Sequence, residues 1–160
     1  MKKKIDWFKL AASIVLCQLA GVIGSVFTFS SIPNWYAGIN KPDFNPPNWV
    51  FGPVWTSLYT LMGVSLYIVW SKGLKNKKAR TALIAFGAQL VLNSLWSVLF
   101  FGLQNPFLAF VEIILLWVAI LISLVLFYRI SKTAGLLLVP YLLWVSFAAL
   151  LNFSIWQLNL

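Results

Sequence analysis

The sequence predicts an all-α membrane protein: a five-transmembrane-helix bundle, N-terminus inside and C-terminus outside, with a long structured loop between helices 1 and 2. Three observations lead there. Hydrophobic residues fill 61% of the 160 positions and charged residues 9%, for a mean hydropathy of +0.89, more apolar surface than a soluble core of this size can hide. Five apolar runs, about 10 to 32, 50 to 70, 81 to 101, 107 to 128 and 134 to 156, can each cross ~30 Å of hydrocarbon at roughly 20 residues per crossing. The cations gather at one set of helix ends. No stretch is left over for a soluble domain, so residues 1–160 read as one integral membrane domain. The strand alternation of a membrane barrel is absent, which leaves helices as the form that satisfies each segment's own backbone.

The first run follows the basic flank "MKKKIDWFKL" and has to be weighed against a cleaved signal peptide. A signal's apolar core is about 7 to 15 residues, and this run is longer. Leu16, before Cys17, is not the small residue of a lipoprotein cleavage site, so the segment is expected to be a retained helix. Ala20 with Gly24, and Gly21 with Ser25, give it small faces that allow close packing against a neighbouring helix or a second chain.

The stretch "WYAGINKPDFNPPNW", residues 35 to 49, then interrupts the lipid-like pattern with aromatics and prolines. Pro42, Pro46, Pro47 and Pro53 fix φ and push the residues before them out of helix. Residues 33 to 49 are therefore expected to be stiff without being helical, forming a cap over a ligand pocket.

Orientation follows from charge. Lys2, Lys3, Lys4 and Lys9 precede the first run, Lys72, Lys75, Lys77, Lys78 and Arg80 join the second to the third, and Arg129 and Lys132 join the fourth to the fifth. Only Lys41 lies on the other side. Cations near helix ends resist translocation, so the net charge of +9 is topological and calls for no nucleic acid. A lipid-headgroup role for "KGLKNKKAR" is the alternative reading of the central cluster.

The absences narrow the chemistry. With no His, one Cys and three acids in the chain, zinc sites, His-based triads, thiol pairs and carboxylate dyads are excluded, as is axial haem ligation by His. No metal is expected. Cys17 has no partner for an intrachain disulfide and reads as a small buried apolar residue. Glu112 is the one acid inside a run, a functional group by default or a carboxyl holding helices together.

Tryptophan is the unusual feature, with nine copies. Interfacial belts account for Trp7 and Trp70 at one surface and Trp35, Trp49 and Trp156 at the other; Trp55, Trp96, Trp117 and Trp144 lie inside runs. Helical spacing places Trp55, Tyr59 and Met62 on one face of the second helix. It does the same for Gln89, Asn93, Trp96, Ser97 and Phe100 on the third, and for Tyr141, Trp144, Ala148, Leu151 and Asn152 on the fifth. At ~1.5 Å per residue, Asn93, Trp144 and Trp55 all fall in the half of the bilayer beneath the loop.

The ordered motifs "WYAGINKPDFNPPNWVFGPVWTSLYTLMG", "LNSLWSVLFFG", "NPFLAFVEI" and "VPYLLWVSFAALLNF" resemble the TspO/MBR family, the tryptophan-rich sensory proteins of microbes and the mitochondrial translocator protein once called the peripheral benzodiazepine receptor. The resemblance covers residues 33–156. It implies a five-helix bundle, usually a homodimer, with a pocket under the first loop for porphyrins, for sterols in some members, and for isoquinoline or benzodiazepine drugs.

Carried over by motif, the ligand-binding residues are Tyr36, Pro46, Phe51, Trp55, Tyr59, Asn93, Trp96, Ser97, Trp144, Ala148 and Leu151. Trp55 and Trp144 are the candidates for light- and oxygen-dependent porphyrin breakdown. A flat tetrapyrrole suits aromatic walls with a few polar groups at its edge, and no cofactor is required, since the porphyrin is itself ligand or substrate.

Two departures stand out. The family's loop reads K-P-x-W-x-P-P, and Phe44 takes the tryptophan's place in "KPDFNPP". The mammalian sterol motif needs a Tyr and a following Arg where this chain has Phe153 and Gln157; the loose match of Leu126, Tyr128 and Lys132 carries little weight.

Three function classes stand at this point: a porphyrin-binding sensor or scavenger in the cell membrane of a microbe, a transporter of porphyrin or sterol, and a ligand-regulated scaffold. Transport is disfavoured by the lack of paired halves with broken helices.

Overall fold

The computed structural model describes residues 5–160, which leaves Lys2, Lys3 and Lys4 outside the described residues. The chain is helical almost throughout. In order come α1 (Trp7–Ser31), α2 (Asn48–Trp70), α3 (Lys77–Ser97), α4 (Pro106–Ile130), the short α5 (Lys132–Leu136) and α6 (Val139–Leu158). No strand occurs among the described residues.

The helix starts follow local chemistry. Asp6 caps α1 by accepting from Lys9 N at 3.1 Å, and this bond holds its carboxyl below the usual carboxylate range. Asn76 caps α3 through Lys78 N and Ala79 N. Asn105 caps α4 through Leu108 N, with Pro106 at the first helical position, where a missing N–H costs nothing.

Trp7–Tyr36, Lys77–Gly102, Pro106–Ile130 and Lys132–Leu158 are each long and apolar enough to cross a membrane. This makes the chain an integral membrane protein in contact with lipid. The sequence expects a fifth such segment, but α2 is not in that group, because Thr56, Ser57, Thr60, Ser65 and its Trp, Tyr, Gly and Pro residues dilute its apolarity. Its hydroxyls are nonetheless satisfied. Thr56, Ser57 and Thr60 donate to carbonyls one turn back, and Ser65 donates to Ala134 O at 2.7 Å.

Packing is closest between α1 and α2, between α3 and α4, and between α4 and α6, with α1 also against α3. The small residues of α1 meet sister helices of the same chain. A Cβ on Gly21 would run into the Tyr59 ring, one on Gly24 would sit 2.8 Å from Ser97 Oγ, and Ser94 Oγ donates to Ala20 O. The described cations separate as expected. Lys9 lies 5.9 Å from the Trp70 ring, beside the 71–76 connection, whereas Lys41 is at the opposite end, where Asn40 meets Asn159. These ends are called here the basic end and the loop end.

The loop is shorter than the sequence suggests. Ile32–Tyr36 continue α1 as a π-helical turn that takes in Pro33. At the other side, Asn48 and Trp49 already belong to α2, with Pro47 at its cap and Pro53 inside its first turns. A proline this near a helix N-terminus removes few backbone bonds, so Pro53 shapes the helix and not the loop. Only residues 39–47 are free of helix.

Candidate functional site

At the loop end the helices enclose a cavity of about 540 Å³, within the roughly 300–1,000 Å³ of ordinary small-molecule sites. Its aromatic wall comes from four elements. Trp55 stacks on Tyr59 with ring centroids 5.4 Å apart, and Trp96 stacks on Phe100 at 4.9 Å. Phe51 meets Trp144 edge-on at 6.0 Å, and Tyr36 closes the top against Phe101 at 5.7 Å. Val22 and Phe29 of α1 and Trp49 of α2 also line the cavity and are well exposed, so it opens along the α1–α2 seam. Lower on that seam Gln18 Nε2 ties the two helices, donating to Thr56 O at 3.0 Å and Thr60 Oγ1 at 3.1 Å.

Most polar atoms around the cavity already have partners. The Tyr59 hydroxyl donates to Asn93 Oδ1, and Asn93 Nδ2 donates to the Tyr141 hydroxyl at 3.0 Å. Trp96 Nε1 donates to Asn152 Oδ1, and Asn152 Nδ2 to Pro106 O. A second π-helical turn, Val98–Gly102, ends α3 and brings both Phe100 and Phe101 to the lining. Such turns re-aim side chains at functional sites.

The loop is fastened from two sides. Tyr36 donates its hydroxyl to Asn45 Oδ1 at 2.9 Å, while Lys41 Nζ donates to Tyr36 O and Ile39 O at 2.6 and 2.8 Å and lies 4.9 Å from the Tyr36 ring. Asn40 N donates to Asn159 Oδ1 and Asn159 Nδ2 donates back to Asn40 O, each at 2.9 Å. The loop is thus clasped to the end of α6, and of residues 33–49 only Tyr36, Asn48 and Trp49 line the cavity.

The family model of the TspO/MBR family matches residues 13–157. The chain belongs to the TspO/MBR family. It is 52% identical to the tryptophan-rich protein TspO of Archaeoglobus fulgidus, over 94% of this chain and 97% of that protein. To the translocator protein of Homo sapiens it is 37% identical, over 96% of this chain and 91% of that protein. To the tryptophan-rich sensory protein of Cereibacter sphaeroides it is 33% identical, over 97% of this chain and 94% of that protein.

Of the residues carried over from the TspO/MBR motifs, Tyr36, Phe51, Trp55, Tyr59, Asn93, Trp96, Ser97, Trp144, Ala148 and Leu151 converge on the one cavity. Pro46 does not line it; this proline sits in the loop, its carbonyl accepting from Asn45 Nδ2. Phe44, where the TspO/MBR loop has Trp, is half exposed and leans edge-on against Phe147 at 6.3 Å. Trp117, on neither stripe, is outside the lining and donates Nε1 to Ser146 Oγ at 2.8 Å. Met62 and Gln89, on the predicted stripes, are buried below the cavity.

Sequence reasoning missed the α1 wall of Gln18, Gly21, Gly24, Ser25 and Thr28, and also Ile113 and Leu116 of α4. Glycines opposite a row of aromatics were the available signal for α1. Ile113 and Leu116 are indistinguishable in sequence from ordinary core. Glu112 stays apart: it is buried, and neither carboxyl oxygen has a hydrogen-bond partner.

Proposed function

We propose that the cavity binds a flat tetrapyrrole such as protoporphyrin IX, and aromatic drug-like molecules of the isoquinoline and benzodiazepine type, and that the protein acts as a membrane sensor or scavenger of such ligands. The observation that carries this reading is the convergence of Trp55, Tyr59, Trp96, Phe100 and Trp144 on one cavity with Asn93 and Ser97. Ring faces supply stacking and the few polar groups orient an edge. The opening along the α1–α2 seam leaves room for a propionate-bearing edge outside the closed volume.

A sensor fits better than a carrier because the path ends. Below the cavity Met62, Phe86, Ile120 and Phe127 are buried, with Phe86 stacked on Phe127 at 5.2 Å. A second hollow, at the basic end beside Tyr128 and Leu136, is separate from it.

In this reading all five long helices cross the membrane, α2 included, since its 23 residues extend about 34 Å. The basic end faces the cytoplasm of a microbial cell and the loop the outside, and two copies form the working dimer. Single cysteines at positions 44 and 76 in a Cys17→Ala background test the orientation. An impermeant thiol reagent on intact cells should label position 44 and spare 76; the reverse pattern overturns it.

Binding is tested by titrating purified protein with protoporphyrin IX and with haem. No His is present and the Tyr36 and Tyr59 hydroxyls are both engaged with Asn side chains, so iron gains no strong ligand. Metal-free porphyrin should saturate one site and bind at least as well as haem. Absence of a saturable site, or much tighter haem binding with an axial-ligand spectrum, contradicts the reading.

A further inference from the structure

Four buried side chains pass hydrogen bonds in one direction away from the cavity. The Tyr59 hydroxyl donates to Asn93 Oδ1, Asn93 Nδ2 to the Tyr141 hydroxyl at 3.0 Å, and the Tyr141 hydroxyl to Gln89 Oε1 at 2.9 Å. Tyr59 and Asn93 line the cavity, whereas Tyr141 and Gln89 lie behind them, each 1% exposed. We propose that Tyr141 and Gln89 are positioning residues that fix the hydrogen-bonding sense of the cavity floor, so that Tyr59 accepts from a ligand N–H or O–H and discriminates against an isosteric ligand that offers only an acceptor. The proposal deepens, and rests on, the reading of this cavity as the ligand site.

A phenol hydroxyl has one hydrogen, and that of Tyr59 is committed to Asn93, so toward the cavity the hydroxyl shows only lone pairs. Turning the Asn93 amide over would reverse this. Nδ2 would then face Tyr59 and free the Tyr59 hydrogen for a ligand, while Oδ1 would face Tyr141.

Tyr141 resists that reversal, because its single hydrogen is already given to Gln89 Oε1; the whole chain has to reverse together or leave a buried group unpaired. The chain finishes in a donor without a partner, Gln89 Nε2, and Glu112, the acid within the bundle, likewise has two carboxyl oxygens without partners. Glu112 sits on α4, which packs against the α3 that carries Gln89.

Three near-isosteric tricyclic probes test this without relying on porphyrin: carbazole with an N–H, dibenzofuran with a ring oxygen, and fluorene with a methylene. Calorimetric titration of the full chain in nanodiscs should show carbazole binding about tenfold tighter than dibenzofuran. In Tyr141→Phe the two should come within about threefold of each other, with fluorene affinity kept within about twofold, since the chain is cut without reshaping the cavity. Gln89→Met, cut one residue further out, should narrow the gap in the same way and covers the case in which Tyr141→Phe folds poorly.

A carbazole-to-dibenzofuran preference at or below one in the unaltered protein, or a preference that survives both substitutions, overturns the proposal. Equal binding of all three probes removes the polar relay but leaves the ligand site intact. Failure of every probe and of protoporphyrin IX removes the site itself.

Discussion

The loop half and the basic half of the bundle are made from the same apolar vocabulary, yet one encloses an aromatic-walled cavity and the other, apart from a hollow beside Tyr128 and Leu136, is solid. In the basic half the helices touch backbone to backbone: a Cβ on Gly63 would meet Ile14 Cα at 2.5 Å, and Phe86, Phe127, Val69 and Ala134 are buried with hardly any exposure. In the loop half large rings face one another across space. Trp55, Trp96 and Trp144 remain only partly buried, and two π-helical turns change the direction of side chains just where α1 and α3 end. Small residues let helices close, and broad rings with polar handles prop them apart. The hollow is therefore built into the choice of side chains and not left over from poor packing.

If that contrast is right, the two halves should fail differently. The largest effect belongs to the solid half. Gly63→Val forces two backbones apart and should lower stability by about 1–3 kcal/mol, the usual range for overpacking. Thermal melting would register the loss, while the fraction that stays folded keeps its ligand affinity.

In the hollow half the order reverses. Trp55→Ala and Trp144→Ala should leave melting nearly intact and weaken protoporphyrin IX by more than tenfold, because stacking adds about 0.5–1.5 kcal/mol beyond the area lost. Phe at either position keeps the ring face and should cost less than about 1.4 kcal/mol, a factor of ten. Any light-driven breakdown of the porphyrin should slow far more in these Phe variants, which lack the easily oxidised indole. Trp117→Phe is the control outside the cavity; if it impairs breakdown as much as the other two at equal affinity, the two-tryptophan site is wrong.

The smallest effect concerns the loop. Asn159→Ala removes both side-chain bonds that Asn159 makes to Asn40, each worth about 0.5–1.5 kcal/mol net. Ligand association and dissociation should both quicken by several-fold with little change in equilibrium affinity, as stopped-flow fluorescence would show. A change in affinity with unchanged rates would mean that the loop is wall and not lid.

Much of this contrast was legible in the sequence. Trp55 with Tyr59, Asn93 with Trp96 and Trp144 with Ala148 repeat at helical spacing, and a polar or aromatic stripe on an otherwise lipid-like helix has to face something other than lipid. What stayed hidden depends on three-dimensional fit. Gly21 and Gly24 read as generic packing residues, because their value lies in the Tyr59 and Ser97 side chains opposite. Pro33 and Pro53 read as loop residues, although a proline at the edge of a helix is compatible with helix, as the Ile32–Tyr36 turn and the start of α2 show. Pro46 was assigned to the pocket by its motif alone, and a motif does not say which face of a loop a residue takes. The break between α5 and α6 was also unread: it falls near the start of the 134–156 apolar run, just after Gly135, which packs against the backbone of Tyr128.

The central claim, that the hollow half is the ligand site, is tested most directly by filling it. Ala148 lines the cavity one helical turn from Trp144, so Ala148→Trp places an indole where a ligand ring would lie. Equilibrium titration with protoporphyrin IX should then show at least about a hundredfold loss of affinity, ~2.7 kcal/mol, with the melting transition unchanged. A variant that melts like the unaltered protein and still binds the porphyrin with equal affinity would place the ligand elsewhere and contradict the account.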